Sequence, residues 1–339
     1  MGETPVIVLG RDATGAPAFL LPFAVLVRRT GFAVLTWLAQ SQSAYNIGIY
    51  RKDVAPSLDR AVFETIFAAV RAAEPTVHAG WFLGQPERWA GSENPFIRIG
   101  RDPRGSCFEV PLGGSYDKVV AKQLSSDKRQ DLRRQLRRVS EQCDLAVGLP
   151  LDRETRELMV ETSIAQKTRQ IEEAGLPNLI GHPALIAFYR QLAMEEMDGV
   201  RLEIGHLDAG GQVLSTLSGI RYKDRFYHIN GSIADTPLRR WSLAQLLIHD
   251  LMARQCQFGA AFWDFGPGEG SHKALWHPDE IAMFDTFVAF DVVGKALMAV
   301  DGAMTRSRRW IASRPALRKL AHQIRAAYLR AIRRLPGPR

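Results

Sequence analysis

Hydrophobic and polar positions along the chain fall into two series with the same order. In the first, Val6–Leu9 is a short apolar run, Arg11-Asp-Ala-Thr-Gly15 a turn, and Ala18–Val27 a second apolar run. The Thr30-Gly31 turn then leads to a third, Phe32–Leu38. Near residue 200 the order returns. Val200, Leu202 and Ile204 alternate along a strand, Asp208-Ala-Gly-Gly211 makes a hairpin turn, and Val213–Tyr222 is the next strand. Lys223-Asp224 turns into the third, Phe226–Ile233. The offset between the series is 196 residues at Asp12/Asp208 and 194 at Thr30/Asp224, a steadiness that predicts duplication.

Each series continues with a helix and another strand. Leu58, Val62, Ile66 and Val70 share one face of a helix over 58–70, which leads to the strand His78–Leu83. Leu243, Leu247 and Leu251 do the same over Ser242–Phe258, followed by Ala261–Phe265. The fold class expected is therefore α/β (α+β), with two tandem halves. They are unequal. The second has an extra strand, Asp144–Gly148, and two extra helices, one capped by Asp152 and one with Pro183 in its first turn and Gly199 just past its end. The first half has only five residues ahead of its opening strand and reads as N-terminally shortened. The organisation expected is a shortened, degenerate half over 1–114, a basic connecting helix over 115–142, a second half over 143–290, and basic C-terminal helices over 291–339.

Composition narrows the class without naming it. Of 339 residues 46% are hydrophobic and 24% charged, which excludes disordered, collagenous and coiled-coil chains. Cys107, Cys143 and Cys256 lie far apart with no CxxC, which argues against a disulfide framework and a zinc knuckle. No metal and a cytoplasmic setting are the expectations. The best apolar run, Ala18–Val27, has ten residues and contains Pro22, too short to span a bilayer. With Arg11 and Asp12 ahead of it, it reads as a buried strand and not as a signal segment.

Charge is unevenly spread. Residues 295–339 hold twelve Lys/Arg against the single acid Asp301, a charge of +11, so the total of +8 leaves −3 for residues 1–294. A second basic cluster, Lys118 to Arg138, lies on the connecting helix.

Two places carry candidate chemistry. Arg239-Arg240-Trp241-Ser242-Leu243-Ala244 lies between a strand and a helix, where free backbone N–H groups favour a pyrophosphate and the two arginines add charge-assisted hydrogen bonds. The competing reading is an ordinary helix start with two solvated arginines. The second place is the glycine-rich loop after Phe265, where Asp264, Glu269, His272 and Lys273 gather. Capped turns and solvated side chains are its plainer account. His228 and Asn230 are polar at alternate positions of the preceding strand, facing a ligand or simply solvent. GxGxxG after a strand, GxxxxGK[ST], HExxH and GxSxG are absent, so dehydrogenases, P-loop ATPases, zinc proteases and lipases lose their usual signatures.

The strand–R-x-x-[G/S]-x-A–helix order resembles the acyl-CoA loop of the GNAT acetyltransferase superfamily, [Q/R]-x-x-G-x-[G/A], with Arg239, Ser242 and Ala244 at its defining positions and Ser in place of Gly. Ser43-Ala-Tyr-Asn46, Ser126 to Arg134, Lys167-Thr-Arg169 to Tyr189, and Trp263-Asp-Phe265 to Trp276 are similar to stretches of the CelD/BcsL-like (cellulose-biosynthesis) acetyltransferases. That group belongs with FemAB-type transferases of two GNAT-like halves. The resemblance implies an acyltransferase using acetyl-CoA or another acyl-CoA, with an amine or hydroxyl acceptor such as a sugar or surface-polysaccharide precursor. It places the cofactor on Arg239, Arg240, Trp241, Ser242, Leu243, Ala244 and Gln245. Glu269 or His228 is the expected base, and His272 and Lys273 are expected to orient the acceptor, Lys273-Ala-Leu-Trp276 resembling the K-x-x-[W/F] element of Fem-type chains. Two alternatives stay open: an aminoacyl-tRNA donor, disfavoured by the few aromatics among the basic residues, and a non-catalytic scaffold. Residues 295–339 would give peripheral contact with anionic membrane, at its inner face.

Overall fold

The structure, a computed structural model, describes residues 2–28, 31–175, 178, 180–195, 197, 199–268 and 270–312. The chain begins with strands β1 (Glu3–Arg11), β2 (Pro17–Val27), β3 (Ala33–Trp37) and β4 (Ile49–Tyr50), then helix α1 (Arg60–Ala73). Next come β5 (Val77–Pro86), β6 (Arg88–Trp89), β7 (Ser92–Glu93) and β8 (Asp102–Pro111), followed by α2 (Tyr116–Gln123) and α3 (Ser126–Ser140). After β9 (Leu145–Gly148) come α4 (Arg153–Glu173) and α5 (Pro183–Met194), then β10 (Arg201–Ala209), β11 (Gln212–Tyr222) and β12 (Arg225–Ile233). Last are α6 (Leu243–Gln257), β13 (Phe262–Pro267), α7 (Ser271–Ala274), β14 (Asp279–Ala289) and α8 (Val292–Ala312).

Contacts divide the chain into two units, Met1–Gly105 with Ala282–Arg339, and Ser106–Ile281. In the first, β1, β2 and β3 are antiparallel neighbours, and after α1 the strand β5 pairs parallel to β3. In the second, β9, β10, β11 and β12 are antiparallel, and after α6 the strand β13 pairs parallel to β12. The repeat in the hydrophobic pattern is thus a repeat in strand pairing. Both units then do something that local pattern does not announce. β14, from late in the chain, pairs antiparallel with β5, and β8, from early in it, pairs antiparallel with β13. Each strand covers an edge that would otherwise present unpaired N–H and C=O groups. The compact units accordingly break at 105/106 and 281/282.

Two local expectations change. The basic stretch 115–142 is two helices, broken where Leu124 turns extended and the Ser125 hydroxyl accepts from Lys128 N at 3.4 Å. Val119, Leu132 and Val139 bury these helices in the core of the second unit. Helix α5 ends at Met194, short of Gly199. Of the basic tail, α8 carries the chain to Ala312, and residues 313–339 lie outside the described residues.

The cores explain why the elements hold. In the first unit α1 lays Phe63, Ile66, Phe67 and Val70 on an aromatic cluster of Phe23, Trp37, Phe82 and Phe96, with Trp37 and Phe96 centroids 4.9 Å apart. In the second, Leu243, Leu247 and Leu251 of α6 are buried with Phe226 and Trp263, whose ring centroids lie 4.4 Å apart. Complete burial of such side chains stabilises by about 1.5–3 kcal/mol each. Among the described residues no helix is long and apolar enough to cross a membrane.

Candidate active site

Strands β12 and β13 are paired only from Arg225–Tyr227 to Phe262–Asp264, and beyond that they part. Arg225 ties the closed end: its guanidinium pairs with Glu109 of β8 and lies 3.3 Å from Asp264 of β13. Past it, Ile229 is an extra residue in β12, because Ser218 faces Asn230 and Gly219 faces His228. Such a bulge re-aims side chains and ends regular pairing. It breaks the alternation of His228 and Asn230, and the His228 ring comes to lie beside Gly231, where a Cβ would sit 3.7 Å from Nε2.

The freed edge of β12 is held from another helix. Ser218 and Ser215 hydroxyls donate to the carbonyls of Asn230 and Ser232, and Ala234 N donates to Leu214 O, so alternate residues 230, 232 and 234 face β11. Gly231 and Ile233 face the other way. Their carbonyls accept from Lys167 Nζ at 3.0 Å and Arg169 Nη2 at 2.7 Å, both from α4. Between them Gln166 accepts from the Ser232 hydroxyl at 2.7 Å and donates to Val213 O at 3.0 Å. Lys167 and Arg169 were absent from the expected site residues. The signal was the Lys167-Thr-Arg169 stretch itself, whose partners lie 64 residues on.

At the same end of the sheet, α6 begins without a cap. A short 3-10 turn over Pro237–Trp241 stops at Ser242, which is left-handed (φ 52°) and makes no side-chain cap. That conformation favours glycine, the residue usual at this position of the loop it resembles. The N–H groups of Gln245 and Leu246 bond back to Ser242 O at 2.8 and 3.3 Å. Among the described residues those of Leu243 and Ala244 have no backbone acceptor, the usual state of a helix start. The corresponding helix of the first unit is closed, because the Asp59 carboxylate accepts from Val62 N at 3.0 Å and puts a negative charge where an anion would bind. Around the open start, Arg239 lies 3.4 Å from Glu173, and the guanidinium carbons of Arg138 and Arg240 each lie 5.0 Å from the Trp241 ring centroid. Leu243 is in the core. The Gln245 side chain is committed too: Nε2 donates to His272 O at 2.9 Å and Oε1 accepts from the Trp276 indole at 3.2 Å.

Of the expected catalytic residues, the structure brings His228 and His272 side by side. Glu269 lies outside the described residues. His228 packs against Trp263, Phe265 and His272, with ring centroids 5.8, 5.9 and 6.4 Å away, and its Nδ1 is buried without a hydrogen-bond partner. Burial, and then the positive fields of His272, Lys273 and Lys167, push its pKa down to about 3, so the imidazole is neutral and weakly basic. His272 is lowered as well, first by burial, then by Lys273 and Lys167. Lys273 turns inward: Nζ donates to Gly266 O at 3.2 Å and Pro267 O at 2.7 Å, clasping the loop that leaves β13. Burial lowers its pKa, and the Cys107 and Asp264 side chains offset part of that. Among the described residues no three His, Cys, Asp or Glu side chains form a metal-holding group.

Residues 126–274 match the family described as Acetyltransferase (GNAT) domain, a stretch that includes α3, α4, the β12–β13 split and the α6 start. The fold is a tandem GNAT fold. The structure of FemX matches with a TM-score of 0.61 at 11% identity, over 88% of this chain and 90% of that one. L-PGS from Bacillus licheniformis matches at 0.53 with 14% identity, over 87% and 88%. A C-terminal domain described as that of a lysylphosphatidylglycerol synthetase from Agrobacterium fabrum matches at 0.51 with 11% identity, over 88% of each chain. At these identities the likeness is one of fold. None of the curated proteins compared matches the sequence. Within the GNAT fold the split between β12 and β13 and the start of α6 belong to the second half, and the first half has its corresponding helix start capped.

Proposed function

We propose that the chain transfers an acyl group from acetyl-CoA or another acyl-CoA to an amine or hydroxyl acceptor. The observation that carries this reading is the contrast between the two helix starts: α1 is capped by Asp59, while α6 leaves the Leu243 and Ala244 N–H groups open beside Arg239 and Arg240. The pyrophosphate sits on those N–H groups, with the two arginines adding charge. The pantetheine arm enters the β12–β13 split, which brings the thioester carbonyl to the free edge of β12 at Gly231–Ile233. The acceptor attacks that carbonyl directly, and its proton goes to a base that the neutral His228 serves poorly; Glu269 fills that role. The stretches similar to CelD/BcsL-like enzymes favour a sugar or surface-polysaccharide precursor as acceptor.

Thermal unfolding with and without acetyl-CoA tests this, on the wild type and on Arg239→Glu/Arg240→Glu. Ligand at 100 times its dissociation constant stabilises by about 2.7 kcal/mol. A rise in Tm that the double variant loses supports the loop as donor site. No rise with any acyl-CoA removes the reading.

A second reading, an aminoacyl-tRNA donor, is favoured by one observation: Arg138 of the basic helix α3 reaches the Trp241 ring of the donor loop, so a phosphate chain leaving that loop meets further cations. It predicts binding of charged tRNA that collapses as salt rises.

A further inference from the structure

Lys167 is a cation held at the reaction edge with no negative partner among the described residues. Its Nζ is fixed by one hydrogen bond, 3.0 Å to Gly231 O, at the edge of β12 that β13 has left. An ammonium has three donors, so two remain for the opening. Among the described residues Lys167 forms no ion pair, and Glu173 of the same helix pairs with Arg169 and Arg239 instead. Its charge is felt at both imidazoles of the opening, His228 and His272. The side chain is placed with little freedom. Gln166 on one side bonds Ser232 and Val213, and Arg169 on the other bonds Ile233, so α4 is pinned to three consecutive residues of β12. Partial burial of an ammonium beside a single carbonyl is costly, and the cost is recovered when negative charge develops next to it.

We propose that Lys167 is a catalytic residue that stabilises the oxyanion of the acyl-transfer step. The proposal rests on the acyl-CoA reading above. The acceptor lone pair forms a bond to the thioester carbon, and the carbonyl π pair moves onto oxygen, facing Lys167. When that pair returns, the carbon–sulfur bond breaks, its electrons leave on the CoA sulfur, and the acceptor's proton passes through the base to that thiolate. Lys167 neither gains nor loses a proton. Its presence before reaction is what makes it effective, since a preorganised charge needs no rearrangement as the oxyanion forms.

The same charge polarises the ground-state carbonyl, so the test needs no acceptor. Acetyl-CoA labelled with carbon-13 at the carbonyl is titrated into wild type, Lys167→Met and Lys167→Gln, and the carbonyl stretch of each complex is read by isotope-edited infrared spectroscopy. The expected result is a band below that of free acetyl-CoA in the wild type and return of at least half that shift in both variants, at saturating ligand. The glutamine variant keeps a donor for Gly231 O without the charge, so it reports even where the methionine variant unfolds. An unchanged band in a saturated, folded variant overturns the role of Lys167 and leaves the donor reading standing. Failure of the wild type to bind acetyl-CoA overturns both.

Discussion

The indole of Trp276 donates to Gln245 Oε1 at 3.2 Å while Gln245 Nε2 donates to the His272 carbonyl at 2.9 Å, so one buried amide joins helix α6 to the loop after β13. This loop carries His272 and Lys273, and the helix start carries the donor loop. Gln245→Leu leaves an indole N–H and a carbonyl without partners, and each orphaned group costs about 1–3 kcal/mol. The expected outcome is a lower urea midpoint at unchanged m-value. An unchanged midpoint would show that the amide does not make this link.

Ser242 separates backbone strain from side-chain need. It sits at φ 52° with no side-chain cap. Ser242→Gly should keep or raise Tm, and Ser242→Val should lower stability by about 1–2 kcal/mol, because a β-branched residue is least tolerated in the left-handed region. Equal Tm values for the two variants in thermal unfolding would contradict the positive φ.

Acid should expose His228. Its folded pKa lies near 3, depressed first by burial, against 6.5 for the free side chain. The unfolded state therefore binds the extra proton between those values. Stability contributed by the neutral ring is complete above pH 6.5 and declines as pH falls toward 3, by on the order of 4 kcal/mol. His206, His249 and His272 are shifted in the same direction and add to the slope. Urea unfolding of His228→Phe against wild type from pH 7 to 4 should show a shallower decline in the variant. Parallel curves would place the ring in contact with water.

The first half offers a control. Asp59→Ala removes the cap on Val62 N and should cost about 1 kcal/mol, within a range of 0.5–2. It should leave acetyl-CoA binding, read as the ligand-induced shift in Tm, as it was. A loss of that shift would show that the first half takes part in holding the donor.

What the sequence determined by itself is local. Strand alternation, the hairpin turns, the Asp152 cap (2.8 Å to Thr155 N) and the buried leucine face of α6 all depend on neighbours within a turn or two of chain, and periodicity reports them. The α6 start and the Lys167-Thr-Arg169 stretch were visible as residue patterns. Tertiary structure decided the rest. Which strand covers β5 and β13 depends on pairings far apart in the chain, as between Cys107 of β8 and Pro267 of β13, or between Trp81 of β5 and Phe287 of β14. Whether Lys273 faces an acceptor or clasps its own loop, and whether His228 can hold a proton, follow from desolvation, and desolvation is a property of everything packed around a group. Lys167 reached the edge of β12 for the same reason: α4 and β12 share no local pattern, and only the folded chain brings that ammonium to Gly231.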